Sequence, residues 1–201
     1  KYEADKTIPK KTVPAQDLFF DLLKERAETG RIYIMNLDHC NTHSSFKDKV
    51  SMSNLCQEIT LPTTPIQHID DGEGEIALCI LSAVNVGALN DLSELENICD
   101  LSVRALEQII DYQDYPVRAA EVSTKKRRSL GIGYIGLAHY LAKNGVKYSD
   151  PKAWELVDRL SEAFQFHLLR SSCDIAMEKG KCEGFERTKY ADGLLPIDHY
   201  K

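Results

Sequence analysis

Gly131-Ile132-Gly133-Tyr134-Ile135-Gly136 has the G-x-G-x-x-G spacing of a dinucleotide-binding loop, and whether it is one decides the fold. Such a loop closes one strand, opens a helix and is followed by a second strand with an acidic residue, because its glycines cradle a pyrophosphate at the helix N-terminus. Leu137 to Lys143 does read as a helix. Where the second strand belongs, Asp150-Pro151 starts another helix, with Asp150 as cap and Pro151 in the first turn. Nucleotide binding by this loop is therefore rejected. Close backbone packing at a strand-to-helix turn is the preferred account.

Working outward, the last helix runs to about Lys179, before Gly180, with Trp154, Leu160, Phe164 and Leu169 in its packed stripe. Residues 183–201 read as irregular. On the other side, residues 117–128 form a connection ending in the basic run Lys125-Lys126-Arg127-Arg128. Ser93-Glu94-Leu95-Glu96 matches a capping box opening a helix to about Tyr112, with apolar faces from Leu95, Ile98, Leu101, Val103, Leu106 and Ile109. Residues 75–85 are nearly continuously apolar and predict a buried strand with Cys79 in its middle. Residues 66–75 are acidic and read as a surface loop.

Nearer the N-terminus, a helix is expected from about Pro14 to Thr29, with Thr12 as a cap near its start, Leu18, Phe19, Leu22 and Leu23 as its stripe, and Gly30 at its end. Arg31 to Asn36 reads as a short strand. Helices alternating with apolar strands give an α/β architecture.

The 201 residues suit one domain or a piece of a larger one, and 43% hydrophobic residues can build a globular core. A net charge of −6 argues against electrostatically driven nucleic-acid binding, and the basic run is too short to reverse that. No apolar run reaches the roughly 20 residues that span a bilayer. The polar start, Lys1 to Lys6, lacks a signal-peptide core. Lys rather than Met at position 1 suggests a chain cut from a longer one. Six cysteines in such a chain predict reduced thiols and a cytoplasmic location.

Two segments are dense in reactive groups. Asp38-His39-Cys40-Asn41-Thr42-His43 offers His39, Cys40 and His43 to a metal, but usual zinc spacings are absent. A polar loop bonding its own backbone is the preferred reading, and no metal is assigned. In Ser53-Asn54-Leu55-Cys56-Gln57-Glu58-Ile59, extended backbone would place Asn54, Cys56 and Glu58 on one face, with Leu55 and Ile59 fixing the segment and Gln57 turned away. An amide, a thiol and a carboxylate in a row can direct, react and accept a proton. The alternative is an edge segment whose cysteine is a small hydrophobe.

These segments together carry a resemblance. Asn36 to His43, Ser53 to Ile59, Ala77-Leu78-Cys79, Asp111-Tyr112-Gln113-Asp114-Tyr115-Pro116 and Arg127 to Gly133 resemble, in the same order, the catalytic core of the large subunit of class I ribonucleotide reductase. The resemblance implies part of a ten-stranded α/β barrel of two antiparallel half-barrels, with a central finger loop at Cys56. It implies that residues 1–201 are a single partial domain from the middle of that barrel, without the effector-binding N-terminal region or the C-terminal barrel half.

The implied chemistry is reduction of ribonucleoside diphosphates to 2′-deoxyribonucleoside diphosphates. Cys56 would become a thiyl radical and take the ribose 3′ hydrogen. Glu58 would act as general base, and Asn54 would hold Glu58 and the ribose hydroxyls. Cys79 would be one thiol of a redox pair whose partner lies outside the chain. The radical would come from a small subunit with a dimetal/tyrosyl-radical centre, with no cofactor bound in this chain and ATP or dNTP effectors binding outside it. A large-subunit homodimer and thioredoxin or glutaredoxin complete the expected partners.

The other readings are the glycyl-radical branch of the same superfamily, a non-catalytic thiol or metal-binding module, and an inactive remnant of the same fold. A partial barrel should also expose apolar strand faces.

Overall fold

The computed structural model describes residues 3–54 and 56–200. The expectation that Leu55 helps fix the central segment lies outside the described residues. In chain order the helices and strands are α1 (Ala15–Thr29), α2 (Leu37–His43), β1 (Ile80–Asn85), α3 (Leu95–Tyr112), α4 (Arg118–Arg127), β2 (Leu130–Ile135), α5 (Leu137–Lys143) and α6 (Pro151–Lys179). Short 3-10 turns occupy much of 183–200, which sequence reading left irregular.

Residues 1–36 and 37–201 form two compact units. In the first, Gly30 ends α1 as expected, in the left-handed region at φ 65°, with its N–H on Arg26 O. No side chain caps its start, so Thr12 does not serve, and none of its residues is buried. Residues 31–36 are not a strand. Their β-branched and aromatic side chains fit a pleated surface, but no strand pairs with them among the described residues.

In the second unit β1 and β2 are parallel neighbours, in register from Ile80 opposite Leu130 to Asn85 opposite Ile135. Parallel pairing needs a long crossover, and α3 and α4 supply it. The expected strand over 75–85 is shortened, and Cys79 stands just ahead of β1 rather than in its middle. Upstream the backbone is drawn elsewhere, since Ile76 N–H donates to Ala119 O at 3.2 Å.

Nor is β1 buried on both faces. Val84, with Ile132 and Tyr134 beside it, packs into a core formed with Leu95, Cys99, Leu160 and Phe164. On the opposite face Leu81 and Ile135 remain 55% and 56% exposed. Cys79 stands at the edge of this open face, beside Gly131. Burying the covered side chains stabilises the fold by roughly 1.5–3 kcal/mol for each large one.

The glycine-rich stretch is a packing device, as expected. Gly136 sits at φ 79° between β2 and α5, where a Cβ would meet Asn85 Oδ1 at 2.3 Å and Gly87 N at 3.1 Å. Only a residue without a side chain lets the two strand ends close together.

α3 starts later than the capping-box reading. No side chain caps it; the 3-10 turn Leu92–Glu94 ahead of it is held instead, with Asp91 Oδ1 accepting from Ser93 N–H at 2.8 Å and Glu94 Oε1 from Asn90 N–H at 3.1 Å. Cys99 and Ile110 are among its buried residues, whereas Leu101 and Ile109 are exposed. α6 has the expected bounds, but Asp150 makes no side-chain cap; its carboxylate accepts instead from Lys147 N–H at 2.8 Å. Trp154 and Leu169 lie on its exposed side, while Leu160 and Phe164 are buried.

The connection read over 117–128 is helix α4. Its buried residues are Ala119, Ala120, Ser123 and Thr124, which give no large apolar stripe. Its basic end is consumed by ion pairs. Lys125 pairs with Glu121 at 2.8 Å and Lys126 with Glu75 at 2.8 Å; Arg127 reaches Glu75 at 2.7 Å and Asp48 at 3.0 Å. Arg128, at a left-handed φ of 48°, is held by Glu107 and Asp111. Glu75, expected on a surface loop, is only 4% exposed. Burial works against its charged form, but hydrogen bonds from Arg127 and Lys126 outweigh it and hold its pKa below the ordinary value.

Candidate active site

Both stems of the loop carrying Cys56 are anchored by side chains upstream and downstream of it. Asp38 to His43, read as a polar loop, lies within helix α2. Asn41 on that helix clamps Val50, with Nδ2 donating to Val50 O and Oδ1 accepting from Val50 N–H, each at 2.9 Å. On the far side, Thr64 and Glu75 bridge, with Glu75 N–H on Thr64 O at 2.9 Å. The Glu75–Arg127–Asp48 ion cluster locks that bridge to α4, and Arg187 joins it through Asp48. Sequence reasoning missed these anchors. The signal at Asn41 was an amide in a polar run, and nothing in the chain order paired Glu75 with the basic run.

Between the anchors the segment is not extended. Gln57 N–H donates to Asn54 O at 3.2 Å, and Gln57 takes φ 62°. The backbones of Asn54 and Ile59 approach, with Asn54 N–H on Ile59 O at 3.4 Å, and Asn54 Oδ1 accepts from Ile59 N–H at 3.0 Å. A tight turn thus replaces the row of alternating side chains. Asn54 closes its base through Oδ1 and is half-buried; Cys56 and Glu58 are exposed on the loop. Exposure excludes the reading of Cys56 as a buried small hydrophobe.

Cys79 is half-buried at the edge of the open face, its Sγ 3.8 Å from Ile80 O. Burial raises its thiol pKa, and the nearby Glu58 carboxylate raises it further. The loop therefore brings a carboxylate into electrostatic reach of the second thiol, although the two residues belong to different segments. A cleft of about 520 Å³ lies beside the loop, lined by Asn54, Ile59, Leu61, Thr64 and Ala77 among others. Asn54 lines it, whereas Cys56, Glu58 and Cys79 do not.

Among the described residues no three His, Cys, Asp or Glu side chains converge as a metal site. His39 and His43 do lie near each other on α2, their ring centroids 6.5 Å apart. His43 Nδ1 is 3.2 Å from His39 O. Among the described residues no helix is long and apolar enough to cross a membrane.

A parallel strand pair on a helical layer thus borders a half-buried thiol, Cys79, that feels the Glu58 carboxylate of the loop bearing Cys56. The ribonucleotide reductase barrel domain matches residues 1–201, and the chain belongs to that family. It is 58% identical, over its whole length, to the ribonucleoside-diphosphate reductase subunit alpha of Haemophilus influenzae, and covers 27% of that protein. Against ribonucleoside-diphosphate reductase 1 subunit alpha of Escherichia coli it is 53% identical over the whole chain and 27% of the relative. The subunit alpha of Enterobacteria phage T4 is 39% identical over 98% of this chain and 26% of its own length. The chain thus spans about a quarter of the length of these relatives.

Proposed function

We propose that residues 1–201 are the central part of a reductase large subunit's catalytic barrel and carry its radical and reducing chemistry on ribonucleoside diphosphates. The observation that carries this is that the Glu58 carboxylate, two residues from Cys56 on one loop, lies within electrostatic reach of the half-buried Cys79 thiol on another segment. The family match and the relatives' names support it. The loop is the finger of a ten-stranded barrel whose remaining strands cover the open face of β1 and β2.

Cys56 becomes a thiyl radical and takes the 3′ hydrogen of the ribose; a thiol suits this because S–H and C–H bonds are close in strength. The radical is supplied by a small subunit with a dimetal/tyrosyl-radical centre. Glu58 accepts the 3′-hydroxyl proton. Asn54 spends its oxygen on the loop and keeps its Nδ2 donors for a ribose hydroxyl. Cys79 and a second thiol outside residues 1–201 then give two hydrogens and form a disulfide. The 2′-hydroxyl leaves as water and a C–H bond replaces it, so one alcohol and two thiols yield one deoxy carbon, one disulfide and one water. Thioredoxin or glutaredoxin restores the thiols, the subunit works as a homodimer, and ATP or dNTP effectors bind outside this segment. A cytoplasmic setting, where thiols stay reduced, accords with this.

Cys79→Ser in a full-length subunit tests the division of labour. Release of label from a 3′-tritiated substrate should persist, while deoxynucleotide should not accumulate over repeated turnovers. Sustained multi-turnover product from that variant removes Cys79 from the reducing pair.

A further inference from the structure

Cys79 owes its position to a neighbour with no side chain. Gly131 lies in β2 opposite Leu81, on the open face that Cys79 borders. A methyl group built on Gly131 would stand 2.9 Å from Cys79 Sγ and 2.5 Å from Leu81 Cδ2. Both distances fall well inside the roughly 3.5–4.0 Å of an ordinary non-bonded contact. The thiol therefore fills the space that a side chain at 131 would take. Gly133, two residues along the same strand and face, is different: a Cβ there meets nothing within 4 Å. Neither glycine has the positive φ that would demand glycine for backbone reasons.

We propose that Gly131 is a positioning residue for the Cys79 thiol, its missing side chain forming the slot that fixes where Sγ stands for electron delivery. The inference rests on the reading of Cys79 as one of the two reducing thiols. The two atoms that must give way to a methyl group are side-chain ends, not backbone, so the strand pairing survives. Leu81 would meet the methyl group with Cδ2, the end of a rotatable side chain that can turn aside. The thiol has one rotatable bond, and leaving the slot means a rotamer jump of about 120°.

The test compares G131A, G133A and Cys79→Ser in a full-length large subunit assayed with its small subunit. Each is measured for multi-turnover deoxynucleotide formation and, in the reduced protein, for iodoacetamide alkylation of each cysteine by peptide mapping. G131A should lower kcat by about a hundredfold, the scale of a reacting group misplaced by about an ångström, with KM unchanged. Cys79 should be alkylated several-fold faster, while the buried Cys99 stays as protected as in the parent. G133A should leave Cys79 alkylation at the parental rate, because a Cβ at 133 stands clear of that thiol.

Parental turnover and parental Cys79 alkylation in G131A overturn the proposal. So does faster alkylation of Cys99 along with Cys79, which shows general loosening, and so does an equal rise in Cys79 alkylation in G133A. If Cys79→Ser itself sustains multi-turnover reduction, it is the reading of Cys79 that fails. If Cys79→Ser is inactive and G131A is not, only the positioning role fails.

Discussion

Cys56→Ser in a full-length reductase large subunit carrying this segment abolishes nucleotide reduction together with 3′ C–H cleavage. The expected loss is on the order of a millionfold, or to the assay floor, as for deletion of a group that forms the reacting bond. A hydroxyl O–H bond is too strong for its oxygen radical to be made by the oxidant that generates a thiyl radical. The substitution exchanges one small side-chain atom for another, so stability should change by no more than about 1 kcal/mol. Loss of activity with parental folding is thus the predicted pair of results. Retained release of tritium from a 3′-labelled substrate in this variant sinks the radical assignment.

Glu75→Gln should have the largest effect on stability. The carboxylate is 4% exposed and meets Lys126, Arg127 and Thr64 Oγ1. Arg127 is equally enclosed, and its Nε and Nη1 have no partner among the described residues. Its other face lies over the Phe46 ring at 5.7 Å. Removing the Glu75 charge leaves that guanidinium with Asp48 alone, itself shared with Arg187. Breaking a buried pair in this way costs about 3–5 kcal/mol.

The lost anchor lies at the stem of the Cys56 loop, so amide hydrogen exchange should accelerate by roughly a hundredfold or more in α4 and around Thr64. The sign with pH follows from the depressed pKa of Glu75. A carboxylate whose folded pKa lies below its unfolded value stabilises above the unfolded pKa, and loses that contribution as pH falls through the folded one. The gap between parent and variant should therefore be full at pH 7 and shrink in acid, below about pH 4.5. Equal exchange in α4 at pH 7 for the two proteins would show that the cluster does not hold the loop stem.

How much of this the sequence displayed depended on whether the deciding signal was local. The glycine-rich stretch was legible because its dinucleotide reading makes a demand on later sequence, a second strand, that Asp150-Pro151 refuses. The bounds of α1 and α6 were legible from Gly30, Pro151 and Gly180. α4 was hidden because its buried face is built from alanines, a serine and a threonine, which leave no hydrophobic period to read. Residues 31–36 have strand propensity but lack a partner among the described residues, and a strand exists only by pairing.

In the site, the residue types of Asn54, Cys56, Glu58 and Cys79 were visible, but their arrangement was not. The turn at Gln57 places a non-glycine residue at φ 62°, which no local signal announced. The approach of Gly131 to Cys79 depends on the register of two strands some fifty positions apart, from Ile80 opposite Leu130 onward. The ion cluster joining Asp48, Glu75, Arg127 and Arg187 is likewise long-range, so a run of four basic residues looked like surface charge.

If these residues reduce a ribonucleoside diphosphate by consuming a thiol pair, one turnover must leave a protein disulfide behind. The most direct measurement is a single-turnover reaction of a pre-reduced full-length large subunit with its small subunit and substrate, without external reductant. Deoxynucleotide and protein disulfides are quantified together. Deoxynucleotide formation should be matched by loss of the free Cys79 thiol. Deoxynucleotide formed while Cys79 remains a free thiol, or no deoxynucleotide from a folded, substrate-binding assembly, would contradict it.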